Sequence, residues 1–197
     1  MSLPARLLVP EMTRKPATYA DLEALPSNQV GEIVNGELYA SPRPASRHVL
    51  AASHLQGELH GPFDRGRGGP GGWIILTEPE LHLGKDVLVP DLAGWRRERM
   101  PRVPDVVGFT MAPDWLCEVL SPSTSRLDRF RKLPIYAREG VGHVWLVDPL
   151  EHTLEVFRLE SGHYLLLGTY VDEEIVHAEP FEALALELRV LWEDIAE

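Results

Sequence analysis

The residues with most chemical content are carboxylates that a sheet could gather: Glu37 after an Asn-Gly turn, Asp91 on an edge-like strand and Glu118 within an apolar strand. Glu118 is flanked by Leu116, Cys117, Val119 and Leu120. An acid there loses its hydration unless it meets a cation, hydrogen-bond donors or a metal. A structural salt bridge to Arg126 or Arg129 would serve; so would a reaction centre. The next helix bears on the choice. Leu127, Phe130, Pro134 and Ala137 make an apolar face, and Ser125, Asp128, Lys132 and Tyr136 share a polar one. Lys132 lies ~13 Å down that helix from Ser123 at ~1.5 Å per residue. Glu118 lies ~10 Å back along its strand at ~3.3 Å per residue. An antiparallel helix would lay the two side by side. Asp128 and Lys132 also fit a plain surface i, i+4 pair, worth about 0.3–0.5 kcal/mol. Yet Lys132 is one of only 3 lysines among 19 basic residues, on a helix otherwise stocked with arginine. An ammonium is a compact charge that can polarise a water or a phosphoryl oxygen. Asp plus Glu with a lysine nearby is a minimal set for metal-assisted phosphodiester hydrolysis. Hard oxygens hold Mg²⁺ or Mn²⁺, and the cation neutralises the phosphate and acidifies a water.

The elements that must position these groups follow from periodicity. Residues 1–16, with Pro4, Pro10 and Pro16, read as a flexible arm, and 17–197 as one domain. Thr18 and Asp21 form a capping-box pattern ahead of a short helix that Pro26 stops. Asn35-Gly36 joins two short strands as a type I′ hairpin. Val49, Ala52, Leu55 and Leu59 predict a helix from Ala45 to about His60, ended by Gly61-Pro62. Strands are expected at 73–76, 80–83 and 87–93, with Pro90 marking an edge or an irregularity. The strand 115–120, a helix from Ser121 to Gly140 and the buried strand 143–147 make a parallel βαβ crossover. Alternating segments after residue 153 read as additional antiparallel strands. The expected fold is α/β, a mixed sheet flanked by helices.

Composition bounds the partners. The 197 residues carry a formal charge of -11, but residues 151–197 hold 12 acids and 2 bases, so the body bearing the candidate residues is near neutral. An acidic total therefore does not exclude a nucleic-acid substrate. The arginines of 96–102 and 126–138 could contact phosphate. No run is long and apolar enough to span a membrane and no signal pattern opens the chain, so a soluble, cytoplasmic protein is expected. Cys117, the one cysteine, should be buried and inert.

The run Glu118-Val-Leu-Ser-Pro-Ser-Thr124, followed by Asp128, Lys132-Leu-Pro-Ile-Tyr136 and Val144-Trp-Leu-Val-Asp-Pro149, resembles the Uma-two family of restriction endonucleases, in the PD-(D/E)XK nuclease superfamily. Glu32-Ile-Val-Asn-Gly-Glu-Leu38 and Val89-Pro-Asp-Leu92 support the resemblance, which covers about residues 17–195. It implies a restriction-endonuclease-like fold and a metal-dependent endonuclease acting on DNA. It implies that Asp91 and Glu118 are metal ligands for Mg²⁺ or Mn²⁺, that Glu37 is the acid from the N-terminal part, and that Lys132 is the catalytic cation. The superfamily places its lysine two residues after the second acid; Leu120 stands there, and Lys132 looks like a replacement that reaches the same space from the helix. His48 matches a histidine usual on the first long helix and could touch substrate or support the metal. Glu80 could lie near the site, and Ser121, Ser123, Asp128 and Tyr136 could shape it. A homodimer would supply two sites for a double-strand cut. The alternative is a nucleic-acid-binding or regulatory protein that retains the fold with little turnover.

Overall fold

The computed structural model describes residues 15–195. The proposed arm falls largely outside them. A short helix α1 (Tyr19–Glu23) leads into β1 (Gln29–Val34) and β2 (Glu37–Pro42). Asp21 accepts the Thr18 backbone N–H at 2.7 Å, as the capping pattern expects. Asn35 and Gly36 take φ of 53° and 80°, the left-handed pair a type I′ hairpin requires. The first long helix, α2 (Ser46–Leu59), does not stop at Gly61-Pro62 but runs on through a π-helical turn, His60–Asp64. Its wider hydrogen bond, Arg65 N–H to His60 C=O at 3.0 Å, steps around the proline, which has no N–H to give.

Next come β3 (Trp73–Thr77), β4 (Leu81–Leu83), β5 (Asp86–Leu88) and β6 (Leu92–Arg96). The single strand expected at 87–93 is two strands in two different sheets. Pro90 cannot donate to a ladder, and the chain changes sheets there, leaving Asp91 at the crossing. After β7 (Trp115–Val119) the helical segment is composite: α3 (Ser125–Leu127), a π-helical turn Asp128–Lys132, and α4 (Leu133–Arg138). It begins four residues later than expected, because residues 121–124 form a turn in which the Ser125 N–H donates to the Ser121 carbonyl at 2.9 Å. The chain then runs through β8 (His143–Asp148), β9 (Thr153–Glu160), β10 (His163–Val171), β11 (Ile175–Val176) and β12 (Leu186–Glu187).

The main sheet has order β10-β9-β8-β7-β6-β3, with β7 and β8 parallel and its other neighbours antiparallel. The βαβ unit and the antiparallel C-terminal strands are therefore present. A second sheet has order β2-β1-β5-β4. The period of two along β7 divides the interior. Trp115, Cys117 and Val119 face one core, with Leu55 and Leu59 of α2 and the Trp73, Trp145 and Phe181 rings. Leu116 and Leu120 face the other, with Ile135 and Tyr136 of α4. Glu118 shares their parity and so points toward the composite helix. Cys117 is fully buried, as expected.

The helix corrects one expectation. Asp128, Lys132, Ile135 and Tyr136, which share one side of it, are buried, while Phe130 on the opposite side is 66% exposed. The face read as polar is the one that enters the protein. Asp86, also fully buried, ties this helix to the hairpin. It accepts the Asn35 N–H at 2.5 Å and the Arg138 guanidinium at 2.8 Å. Asp86→Ala is expected to cost about 1.5–3 kcal/mol, the worth of hydrogen bonds to a charged group, read as a lower urea midpoint at unchanged slope.

Candidate active site

Between the two sheets and the N-terminal ends of α2 and the composite helix lies a cavity of about 330 Å³. Asp91, Glu118, Lys132, His48, Ser121 and Ser123 all line it, as do Asp128 and Glu32. Each arrives for a local reason. Asp91 sits where Pro90 breaks the strand, and its Oδ2 accepts the Val119 N–H at 2.7 Å, which locks the crossing to β7. Its Oδ1 meets His48 Nε2 of α2 at 3.2 Å. Burial alone would lower the His48 pKa, but the Asp91 carboxylate outweighs it and holds the imidazole above its ordinary value. His48 Nδ1 is buried with no hydrogen-bond partner among the described residues.

Lys132 is the centre of a buried charge cluster. Its Nζ lies 2.8 Å from Glu118 Oε1, 2.8 Å from Glu32 Oε1 and 3.3 Å from Asp128 Oδ1. The Tyr136 hydroxyl donates to Glu118 Oε1 at 2.5 Å, and the Val89 N–H donates to Glu32 Oε1 at 2.8 Å. Glu118 thus pairs with neither Arg126 nor Arg129; the latter is held by Glu155 at 2.5 Å. The Asp128–Lys132 pair exists, but as a buried contact rather than a surface one. Burial pulls the Lys132 pKa down, yet Glu118, Glu32 and Asp128 together carry it well above its usual value, so the ammonium stays charged. The acids outnumber it. Burial pushes Glu118 well up, Lys132 opposes, and the charges of Asp128, Glu32 and Asp91 add to the push. Asp128 is raised, chiefly by burial. Tyr136 is driven far up by burial and the Glu118 charge, and remains a donor.

Two expected members stand elsewhere. Glu37 is exposed on β2, where it accepts the Tyr39 hydroxyl at 2.7 Å, and it does not line the cavity. Glu32, one strand earlier, occupies the place foreseen for it. Glu80 also lies outside, accepting Tyr19 Oη at 2.9 Å and facing His82 Nε2 at 2.6 Å. Glu78 lines the cavity instead, at φ 46°. Arg43 was not foreseen either, although Ser41-Pro42-Arg43-Pro44 forms one wall.

The donor set suits a hard, hydrated cation. Asp91 and Glu118 offer carboxylate oxygens to one cavity, each with lone pairs beyond those its present donors use. Among the described residues no three His, Cys, Asp or Glu side chains form a ready-made metal cage. Among the described residues no helix is long and apolar enough to cross a membrane.

No curated protein matches the sequence. A crystal structure described as "a putative nuclease belonging to DUF820" from Anabaena variabilis superposes with a TM-score of 0.74 at 23% identity, covering 90% of this chain and 98% of that one. This establishes the shared fold. The sequence model of the family Uma2, "Putative restriction endonuclease", matches residues 16–190, and the chain belongs to that family.

Proposed function

We propose that this protein is a Mg²⁺- or Mn²⁺-dependent endonuclease that hydrolyses phosphodiester bonds in DNA. The observation that carries the reading is the convergence, from a sheet crossing, a buried strand and a helix, of Asp91, Glu118 and Lys132 on one cavity. The family description supports the reaction class.

A bound divalent cation would neutralise charge on the scissile phosphate and lower the pKa of a water. The chain's own groups prepare that chemistry. His48 and the Val119 N–H fix the Asp91 carboxylate from two sides. Lys132 and Tyr136 do the same for Glu118. With three carboxylates around it, Lys132 spends its donors on the acids and holds them apart from mutual repulsion; Glu32 and Asp128 set its position. Arg43 on the cavity wall is available to a phosphate oxygen, and the hydroxyls of Ser121 and Ser123, 3.0 Å apart, offer further donors.

The test is conversion of supercoiled plasmid to nicked or linear product. Cleavage is expected in Mg²⁺ or Mn²⁺, abolished by EDTA and by Asp91→Asn. Cleavage that persists in Asp91→Asn would overturn the site. Plasmid retained on the protein without conversion in either metal would instead favour the binding or regulatory reading.

A further inference from the structure

We infer that a cleft beside the active-site cavity, built around Phe130, is a stacking platform for an unpaired nucleobase of the DNA strand that enters the cavity. The inference rests on the nuclease reading for its ligand class. Phe130 lies two residues before Lys132 on the π-helical turn, on the side of the helix away from the buried cluster. A lone exposed aromatic is ordinary; the surroundings of this one are not.

Phe130 borders two clefts. In one, of about 400 Å³, Asp148 and Glu151 share the wall with it, and their charge opposes a phosphodiester chain. The other, of about 470 Å³, has no carboxylate in its lining. There Phe130 is joined by Arg126, Arg131 and the half-buried Tyr39, whose hydroxyl is turned to Glu37 outside the lining. Neither arginine has a carboxylate within 4.0 Å among the described residues, whereas Arg129 on the same turn is paired with Glu155. Arg126 Cζ lies over one face of the Phe130 ring, 5.8 Å from its centre. Two aromatic side chains beside two guanidinium groups that pair with no carboxylate among the described residues match the chemistry of single strands. Bases stack on the rings while the cations track the backbone.

The cleft also adjoins the cavity. Ser41, Pro42 and Ser123 line both. A strand with its phosphate at the acid cluster therefore has a path over that shared wall to Phe130. A base inside a duplex presents only its edges and cannot offer its face to the ring, so the platform selects an unpaired nucleotide.

The experiment measures anisotropy of fluorescein-labelled oligo-dT and of a blunt duplex of the same length, in EDTA at low salt so that the DNA stays intact. Wild-type protein should prefer oligo-dT. Phe130→Ala and Phe130→Leu should each weaken oligo-dT binding by about 5- to 150-fold and change duplex binding less than about twofold, with Phe130→Trp restoring affinity. Leucine keeps apolar area without a π face, which separates stacking from mere burial. Arg126→Gln should reduce the slope of log affinity against log salt by about 0.7. Because Phe130 is exposed, the variants should keep the wild-type thermal midpoint. A Phe130→Leu protein that binds oligo-dT like wild type, or loses oligo-dT and duplex equally, overturns the proposal, as does a wild-type preference for duplex. Cleavage is read separately. A protein that cleaves yet is insensitive at Phe130 loses the platform and keeps the nuclease reading; one that binds as stated and never cleaves does the reverse.

Discussion

Lys132→Met should destabilise the protein by about 3–5 kcal/mol, while Glu118→Gln should change stability by less than about 1 kcal/mol. At ~2–4 °C per kcal/mol for a domain of this size, the first lowers the thermal midpoint by about 6–20 °C and the second barely moves it. The asymmetry follows from the charge balance. Lys132 is 2% exposed and answers Glu118, Glu32 and Asp128 together. Methionine fills the volume but leaves those acids without their counter-ion, and a buried charge stripped of its partner is the costly case. Glu118 is the opposite. Burial already pushes it toward its neutral form, with Asp128, Glu32 and Asp91 adding to the push. Glutamine keeps an acceptor for the Tyr136 hydroxyl, and Lys132 retains Glu32 and Asp128.

The two variants also differ in pH dependence. Lys132 has a folded pKa above its unfolded value of about 10.5, so its contribution is complete below that pH and is lost as pH rises through the folded value. The gap between wild type and Lys132→Met should therefore narrow on the alkaline side, where the ammonium is lost, and on the acid side, where the stranded carboxylates take up protons. Glu118 is also raised, which for an acid means stability that declines as pH climbs above about 4.5. Glu118→Gln removes that decline, so the variant should gain on wild type as pH rises. Thermal unfolding at several pH values reads both. A wild-type midpoint for Lys132→Met would mean that the cluster is solvated rather than buried.

The contrast between Lys132 and Glu37 shows what the sequence carries and what it does not. An acid in an apolar strand needs a partner, and strand and helix rises are fixed by backbone geometry, so Glu118 and Lys132 could be placed side by side from spacing. The parallel crossover and the Asn-Gly hairpin were legible for the same local reasons. The choice between Glu32 and Glu37 was not. Both flank one turn on one hairpin, and which acid meets the helix depends on how the second sheet packs. Asp86 decides that, by bonding the hairpin turn to Arg138 across more than fifty residues of chain. Which face of the helix turns inward was hidden for a related reason. Three carboxylates seek one ammonium, so the face bearing Asp128, Lys132 and Tyr136 enters the protein. Phe130, on the opposite side, is left exposed.

That revision makes the activity ranking of the acids the sharpest test of the site. Glu118→Gln should lower plasmid cleavage by about 10³-fold, since losing one of the two proposed ligands would remove several kcal/mol of charge stabilisation at ~1.36 kcal/mol per tenfold. Because its stability is kept, the loss cannot be assigned to unfolding, and a thermal scan on the same sample makes the point directly. Glu32→Gln should fall in between, about 10- to 100-fold, as expected for a group that acts by holding another; it reaches the chemistry through Lys132 and the Val89 N–H. His48→Ala, which frees one side of Asp91, belongs in the same range. Glu37→Gln should cleave at the wild-type rate, because its carboxylate is exposed on β2 and glutamine can still accept the Tyr39 hydroxyl. The order Glu118, then Glu32 with His48, then Glu37 separates a proposed ligand from groups that position one and from a group outside the cavity. If Glu37→Gln were the inactive protein and Glu32→Gln the active one, the hairpin would have to meet the helix through its other strand. The Asp86 tie and the Glu32–Lys132 contact could not then both describe the working enzyme.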